Sequence, residues 1–264
     1  MNLKFFLIQI LILQNLFTTS FAQQAVNNNL KIVNHRGANK IAPENTFAAG
    51  KKSVEYNVEY IEVDVRTSKD GVLYILHDPI LNRTTNGKGF IKRKTSEYID
   101  KLDAGGWFSD EFEGEKVPRL KDYLLWAKGK TKIYFDVKDA DVKQLVDLVR
   151  ECNMENDSFF WFRSNKKKLE FRKLAPEMNL KANAKSPKQI LKAIEKFKVQ
   201  IIESNLKHLN DDFLKTISEN NLKLMLWGVN ESIEGFKQII THTSIDYINI
   251  DNIVLFQEVK NSFK

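Results

Sequence analysis

The sequence is poor in residues that form covalent cross-links. Its 264 residues include one cysteine, Cys152, so the chain cannot form an intramolecular disulfide. Its stability must come from packing, which excludes the class of small disulfide-bonded scaffolds. Cys152 lies in an apolar helical pattern, which favours a buried small residue over a nucleophile.

Long apolar runs are also scarce, and the longest stands at the start of the chain. Lys4 is followed by an apolar stretch over residues 5–17 and by the small residues of Ser20-Phe21-Ala22. This pattern predicts a secretory signal peptide over residues 1–22, because its apolar part is short for a membrane span. A retained membrane anchor is the alternative. We expect an exported protein, periplasmic or secreted, with no stable membrane span after signal cleavage.

A concentrated basic stripe is missing as well. The formal net charge of +7 favours anionic substrates or surfaces. However, the lysines are spread along the candidate helices, and we interpret most of them as parts of solvated helix faces. We therefore expect no nucleic-acid partner.

Short apolar runs alternate with amphipathic stretches along the rest of the chain. Continuous apolar strands separated by helices indicate βα units and a parallel sheet. Eight such strands within residues 23–264 predict an α/β fold, a (β/α)8 TIM barrel, with an open doubly wound sheet as the alternative. The predicted strands lie at residues 30–33, 60–65, 132–137, 158–162, 179–182, 199–202, 223–227 and 247–250. The candidate helices lie at residues 45–56, 141–152, 187–198, 211–220 and 232–240.

One segment, at about residues 79–117, interrupts this alternation. It is rich in glycine and turn residues and has no long helical period. A connection of this length is usually functional or separately organised. We predict a small insertion after the second barrel strand. Its Trp107 and Phe108 either approach a substrate or pack the insertion onto the barrel.

Three acidic side chains are candidates for a metal site. Glu62 and Asp64 are two residues apart on a predicted strand and so point to the same face, and Asp136 is near the end of the next barrel strand. Buried carboxylates are costly unless paired or bound to a metal, and a divalent cation, Mg²⁺ or Ca²⁺, would satisfy them. Alternatively, Glu62 and Asp64 face outward and form ion pairs with Arg66 or Lys69.

Two histidines stand at the ends of apolar runs near these carboxylates. His35 closes the first strand, and His77 closes the run over residues 72–76. A single histidine in such a place is usually structural. Two beside candidate metal ligands favour proton transfer, because imidazole titrates near neutral pH. Arg36 and Lys138 add positive charge for a phosphate group.

Four further residues are candidates for the site, and two of them, Glu44 and Trp227, have more than one interpretation. Glu44 opens a candidate helix and either orients Arg36 or interacts with the helix dipole. Trp227, at the end of the seventh predicted strand, either forms a wall of the pocket or packs in the core. Lys181 and Glu203, near the ends of strands five and six, are candidates for substrate contact.

Six short segments follow one another in a distinctive order and spacing: His35-Arg36-Gly37, Pro43-Glu44-Asn45-Thr46, Glu62-Val63-Asp64-Val65, Asp70-Gly71, His77-Asp78 and Arg83-Thr84-Thr85. Taken together, they resemble the glycerophosphodiester phosphodiesterase family. The resemblance covers most of the chain after residue 22 and is strongest over residues 35–83. It implies a (β/α)8 barrel with a small inserted subdomain, and metal-dependent hydrolysis of small-molecule glycerophosphodiesters to glycerol phosphate and an alcohol.

The resemblance also implies roles for single residues. By position, His35 and His77 correspond to the acid/base pair of the family. Glu62 and Asp64 correspond to metal ligands, and Arg36 corresponds to a phosphate ligand.

The later positions match the family less closely. Glu44 corresponds to the carboxylate that supports the phosphate-binding arginine. Asp136 and Lys138 stand where the family usually has Glu-x-Lys, and the shorter aspartate withdraws the third metal ligand by about 1.5 Å. Ser68 replaces the usual threonine, and residues 246–251 lack the usual Gly- and Pro-bearing form. These departures weaken any assignment of the substrate but leave the reaction class standing.

Two other functions are compatible with the sequence. One is a phospholipase D-like or phosphoinositide lyase activity on the same fold, which a stable cyclic phosphate product would reveal. The other is a non-catalytic protein that binds a phosphodiester or a lipid headgroup. The pair of histidines argues against it, because binding alone needs no proton transfer.

Overall fold

The structure, a computed structural model, describes residues 26–263, so the predicted signal peptide over residues 1–22 lies outside the described residues. Within them the strands form one nine-stranded sheet. The strands are β1 (Lys31–Asn34), β2 (Tyr60–Thr67), β3 (Leu73–Ile75), β4 (Lys132–Val137), β5 (Ser158–Phe162), β6 (Asn179–Asn183), β7 (Ile201–Ser204), β8 (Lys223–Leu226) and β9 (Tyr247–Ile250).

All strands except β3 are parallel and close into a ring. Their order is β1-β9-β8-β7-β6-β5-β4-β2, and β1 also pairs with β2, with Val33 opposite Tyr60. The closure confirms the predicted (β/α)8 TIM barrel and excludes the open doubly wound sheet. β3 pairs with β2 in the antiparallel direction and lies just before the insertion predicted at about residues 79–117.

Amphipathic helices cover the outside of the ring. In the helix over Val142–Glu151 the buried residues recur at helical spacing, and the Asp141 side chain caps its N-terminus by accepting a hydrogen bond from the Gln144 amide. No helix within residues 26–263 is both long and apolar enough to cross a membrane. The helices are α1 (Phe47–Glu55), α2 (Ser96–Ile99), α3 (Leu120–Ala127), α4 (Val142–Glu151), α5 (Asn165–Leu174), α6 (Pro187–Phe197), α7 (Asp211–Glu219), α8 (Ile233–Ile240) and α9 (Ile253–Asn261).

Two apolar layers hold the barrel together. The larger one lies between the strands and the helices and includes the buried Cys152, as predicted. The smaller one fills the barrel interior, where the rings of Tyr134 and Phe159 stack with their centroids 4.5 Å apart. Because this layer fills the ring, an internal site can lie only above it, at an end of the strands. The interior layer consists of Val33, Tyr60, Tyr134, Phe159, Ile201, Met225 and Tyr247.

The segment between β3 and α3 has its own small core. Its buried residues include Leu81, Ile91 and Ile99. Trp107 donates a hydrogen bond from Nε1 to the Ala104 carbonyl at 2.9 Å, and its ring packs against Phe108. Neither aromatic residue lines the cavity described below. The two rings therefore pack within the insertion, and the expectation that they approach a substrate is not supported.

Candidate active site

A cavity of about 260 Å³ opens at the carboxyl ends of the barrel strands. Parallel strands present their C-terminal residues and the following loops at this edge, where the active sites of such barrels lie. Two other predicted site residues form ion pairs with lining residues: Glu44 pairs with Arg36, and Asp64 pairs with Lys138. The lining residues are His35, Arg36, Glu62, His77, Tyr134, Asp136, Lys138, Trp161, Lys181, Asn183, Glu203, Trp227 and Asn249.

The three predicted metal ligands converge in this cavity. One oxygen from each of Glu62, Asp64 and Asp136 lies within 4.8 Å of the others. Glu62 and Asp64 are 1% and 0% exposed, which excludes the outward-facing alternative. Asp64 pairs with Asp136 across β2 and β4, so the strand register brings the short aspartate side chain to the cluster.

The carboxylates are incompletely neutralised by the surrounding protein. Burial, together with the charges of Asp64 and Asp136, raises the pKa of Glu62 well above its usual value. Burial also raises the pKa of Asp136, although Lys138 partly offsets it. Asp136 Oδ1 is buried and has no hydrogen-bond donor among residues 26–263. Oxygen ligands with excess negative charge fit a hard divalent cation.

Lys138 supplies one positive charge to the cluster. Its Nζ lies 2.8 Å from Asp64 Oδ1 and 2.7 Å from Asp136 Oδ2. Burial raises the pKa of Asp64, but the charges of Lys138, His77 and Arg36 outweigh it and hold that pKa below its usual value. Arg36 Nε also lies 3.5 Å from Asp64 Oδ2, so the positive charges gather at Asp64 and Asp136, and Glu62 is the least compensated of the three carboxylates.

The turn after β1 directs Arg36 into the site. Arg36 and Gly37 both have positive φ, 57° and 76°, and the Arg36 amide donates a hydrogen bond to Glu62 Oε2 at 2.8 Å. A Cβ on Gly37 would lie 2.8 Å from the Ala49 Cβ, so only glycine fits between this turn and α1. The turn therefore connects a phosphate-binding candidate to a metal-ligand candidate through the backbone.

The Pro43-Glu44-Asn45-Thr46 segment supports the same cluster. Glu44 accepts hydrogen bonds from Arg36 Nη1 at 3.0 Å and from Arg83 Nη2 at 2.7 Å, so it orients Arg36. Asn45 donates to Asp64 Oδ2 at 2.8 Å, and Thr46 caps α1. The role of Arg83 was missed from the sequence, although its segment is part of the family resemblance.

Each of the two histidines is held by an aspartate. His35 Nδ1 lies 2.8 Å from Asp251 Oδ1, and His77 Nδ1 lies 2.8 Å from Asp78 Oδ1. An ionised carboxylate only accepts hydrogen bonds, so each Nδ1 carries the proton and each Nε2 is left for other chemistry. Arg66 donates to the His77 carbonyl and fixes the backbone there.

Both carboxylates are ionised over the whole neutral range. Hydrogen bonds from Arg83 lower the pKa of Asp78 to about 2, and His77 adds to the effect. Partial burial of Asp78 acts in the opposite direction but is outweighed. Burial raises the pKa of Asp251, but hydrogen bonds from His35 and Asn39 outweigh it and bring the pKa to about 2. Asp251 was missed from the sequence, although its position directly after the last predicted strand was a usable signal.

Trp227 forms a wall of the cavity. Its ring meets the His35 ring edge to face with centroids 4.5 Å apart, and the side chain is 38% exposed. The alternative that Trp227 packs in the core is excluded. An exposed indole beside a histidine instead leaves an apolar surface for a bound molecule.

A buried polar pair forms the far side of the cavity. Lys181 Nζ lies 2.6 Å from Glu203 Oε2, and Asn183 donates to the other oxygen of Glu203 at 2.7 Å. Lys181 also lies over the ring of Trp161, 5.6 Å from its centroid. The structure thus brings both predicted contact residues to the cavity. It adds four lining residues that were missed from the sequence, namely Tyr134, Trp161, Asn183 and Asn249.

Comparison with known proteins gives a consistent result. A family model described as the glycerophosphoryl diester phosphodiesterase family matches residues 35–254. The glycerophosphodiester phosphodiesterase of Caldanaerobacter subterraneus is 30% identical over 239 residues, covering 83% of this chain and 96% of that protein. The Bacillus subtilis protein of the same name is 26% identical over 255 residues, covering 88% and 86%. A crystal structure of the glycerophosphodiester phosphodiesterase from Agrobacterium tumefaciens superposes with a TM-score of 0.81 at 38% identity, covering 87% of this chain and 99% of that one.

Proposed function

The chain belongs to the glycerophosphoryl diester phosphodiesterase family, and on that premise we propose that it hydrolyses glycerophosphodiesters to glycerol phosphate and an alcohol. One observation carries the proposal. A single cavity contains two histidines, each held through Nδ1 by an ionised carboxylate, beside a cluster of three acidic side chains. A binding protein would need no such pair, whereas hydrolysis needs one group to accept a proton and another to donate one.

Arg36 and Lys138 are proposed to bind the phosphodiester group. Glu44 holds the Arg36 guanidinium by one nitrogen, which leaves other N–H donors for the phosphate oxygens. Lys138 lines the same cavity and contacts both Asp64 and Asp136. These fixed charges oppose the negative charge that develops on the phosphate oxygens in the transition state.

The histidines are proposed to transfer the protons. One imidazole takes the proton from the attacking hydroxyl, which is either water or the free hydroxyl of the substrate's glycerol. A new P–O bond forms, the bond from phosphorus to the leaving oxygen breaks, and the other imidazole protonates that oxygen. Asp251 and Asp78 keep each Nδ1 protonated, so the exchangeable site is Nε2 in both rings.

Glu62, Asp64 and Asp136 are proposed to hold a divalent cation, Mg²⁺ or Ca²⁺. When bound, such a cation supplies positive charge to the phosphate oxygens. The raised pKa of Glu62 and the unsatisfied Asp136 Oδ1 support this assignment, because both reflect negative charge that Lys138 does not balance.

A product assay tests the proposal. The purified protein is given a panel of glycerophosphodiesters with Mg²⁺ or Ca²⁺, and glycerol phosphate and alcohol are measured. We expect both products, and we expect His35→Ala to lower the rate of hydrolysis by roughly 10²- to 10⁴-fold. A stable cyclic phosphate would instead indicate the lyase chemistry. Binding without turnover would indicate a headgroup-binding protein.

The proposed setting is outside the cytoplasm. The signal-like residues 1–22 support an exported protein, periplasmic or secreted, that acts on small-molecule glycerophosphodiesters released from lipids. Immunodetection of the full-length chain in cell fractions tests this, because retention in the cytoplasm contradicts it.

A further inference from the structure

A second cavity adjoins the first. Its volume is about 250 Å³, and it shares Asn183, Glu203 and Trp227 with the cavity that holds the histidines. The two cavities are therefore direct neighbours that meet along these three side chains.

The second cavity has an excess of positive charge. Its lining includes Lys185, Lys207 and His208, and neither lysine pairs with a carboxylate among the residues the structure describes. Its only acidic side chain is Glu203, whose two oxygens already accept hydrogen bonds from Lys181 and Asn183. Two exposed lysines thus line a small cavity whose single carboxylate, Glu203, is already paired with Lys181.

The walls of this cavity are fixed by the protein itself. The Asn205 side chain donates to the carbonyls of Trp227 at 3.2 Å and Gly228 at 3.0 Å, which joins the loops after β7 and β8. Ser204, the last residue of β7, donates to the Ala184 carbonyl at 2.8 Å, which joins the end of β7 to the loop after β6. The cavity is therefore built by loops that are connected to one another.

We propose that this second cavity binds the leaving alcohol of the substrate and selects an alcohol that itself carries a phosphate group. The inference rests on the proposed hydrolysis of glycerophosphodiesters and adds the class of diester that is preferred. An uncharged glycerol needs no cation, and a choline group would be repelled by Lys185 and Lys207. A second phosphate is the substituent that two unpaired lysines stabilise.

Placing the leaving alcohol in the second cavity determines which P–O bond of the substrate breaks. In a diester of two glycerols, one of which bears a terminal phosphate, the phosphorylated glycerol would lie in the second cavity. Water adds to the diester phosphorus, the bond to the phosphorylated glycerol breaks, and its oxygen takes a proton. The products are then two molecules of glycerol phosphate, and no free glycerol forms. The opposite orientation would release free glycerol and a glycerol bisphosphate.

The first measurement uses the wild-type protein and a matched substrate pair. Glycerophosphoglycerol and the same diester with a phosphate on one terminal hydroxyl are compared by kcat/KM, and the products of the second are identified. We expect a higher kcat/KM for the phosphorylated diester and two glycerol phosphates per turnover. Free glycerol as the main product of that diester overturns the proposal.

The second measurement reverses the charge of the cavity. The double variant Lys185→Glu with Lys207→Glu should lower the ratio of kcat/KM values, phosphorylated over neutral diester, by roughly three- to tenfold at low salt. Lys192→Glu, on the exposed side of α6, is a charge reversal outside the cavity and should leave the ratio unchanged. If the double reversal does not fold, Lys185→Gln with Lys207→Gln should give a smaller loss in the same direction.

The two proposals fail in different ways. A wild-type protein that hydrolyses both diesters with a ratio insensitive to Lys185 and Lys207 overturns the selectivity alone. A wild-type protein that hydrolyses neither diester, with either metal, overturns the hydrolytic function and the selectivity with it.

Discussion

His35 Nδ1 and Asp251 Oδ1 lie 2.8 Å apart although their residues are 216 positions apart in the chain. His35 directly follows the first strand and Asp251 directly follows the last, and β1 pairs with β9. Closure of the barrel therefore creates the contact that orients the histidine. Glu231 adds support, since its carboxylate accepts hydrogen bonds from the backbone amides of Asp251 and Asn252 at 2.7 Å.

Asp251→Asn is expected to lower kcat by roughly 10²- to 10³-fold with little change in KM. An amide can donate to Nδ1 and so favour the wrong tautomer of His35, while the phosphate-binding residues stay intact. Asp246→Asn is the matched control, because Asp246 precedes the same strand and pairs with Lys223 away from the cavity. Steady-state kinetics of both variants check this, and a kcat for Asp251→Asn within twofold of wild type would contradict it.

Asp136→Asn is expected to weaken binding of Mg²⁺ or Ca²⁺ by at least roughly tenfold. The change removes one of three converging charges while it preserves the size of the side chain. Isothermal titration calorimetry measures the affinity directly, without an activity readout. Asp147→Asn, which alters an exposed carboxylate paired with Lys143 on α4, serves as the control. Equal affinity in Asp136→Asn and wild type would remove Asp136 from the metal site.

Asp78 is expected to give a pH-dependent contribution to stability. Its pKa is about 2 in the folded protein against an ordinary value of 3.8, so the unfolded chain binds more protons between these values. The contribution is therefore present above about pH 4 and is lost as the pH falls towards 2. Urea unfolding of wild type and Asp78→Asn should show a gap of up to about 1 kcal/mol at pH 7 that narrows below pH 4. A gap that is constant with pH would contradict the assignment.

Gly37→Ala is expected to destabilise the protein by roughly 2–4 kcal/mol. The added Cβ meets Ala49 at 2.8 Å, and the residue must also keep a φ of 76°. Gly71→Ala separates the two causes, because Gly71 has a φ of 85° but no atom within 4 Å of an added Cβ. Thermal unfolding should therefore show a larger loss for Gly37→Ala than for Gly71→Ala. Equal losses would mean that the turn after β1 relaxes away from α1.

Much of the fold was predictable because its signals are local. Each of the eight predicted barrel strands is found at its expected place, since continuous apolar runs with β-branched residues mark strands buried on both faces. The helices α2, α3, α5 and α9 were not named among the candidates. In α5 the pattern is weak, because only Lys168 and Phe171 are buried on a strongly basic helix. The short strand β3 was recognised as an apolar run, but its antiparallel pairing with β2 was not.

Part of the site was also predictable. Histidines, Arg36 and carboxylates at strand ends must gather at one edge of a parallel barrel, and they do. The sequence did not show whether the shorter side chain of Asp136 reaches the other two carboxylates. Its side chain reaches the cluster because the register of β2 and β4 places it opposite Asp64.

The sequence by itself determined where the eight barrel strands lie along the chain, which family the chain resembles and that the candidate site residues follow strand ends, because these depend on residue types and their spacing within single elements. Only the tertiary structure decided which carboxylate holds each histidine, which arginines hold Glu44, and that Lys185 and Lys207 line a second cavity. The contacts His35–Asp251 and Glu44–Arg83 join segments far apart in the chain. Their geometry is set by closure of the sheet and by packing of the loops, which no local pattern records.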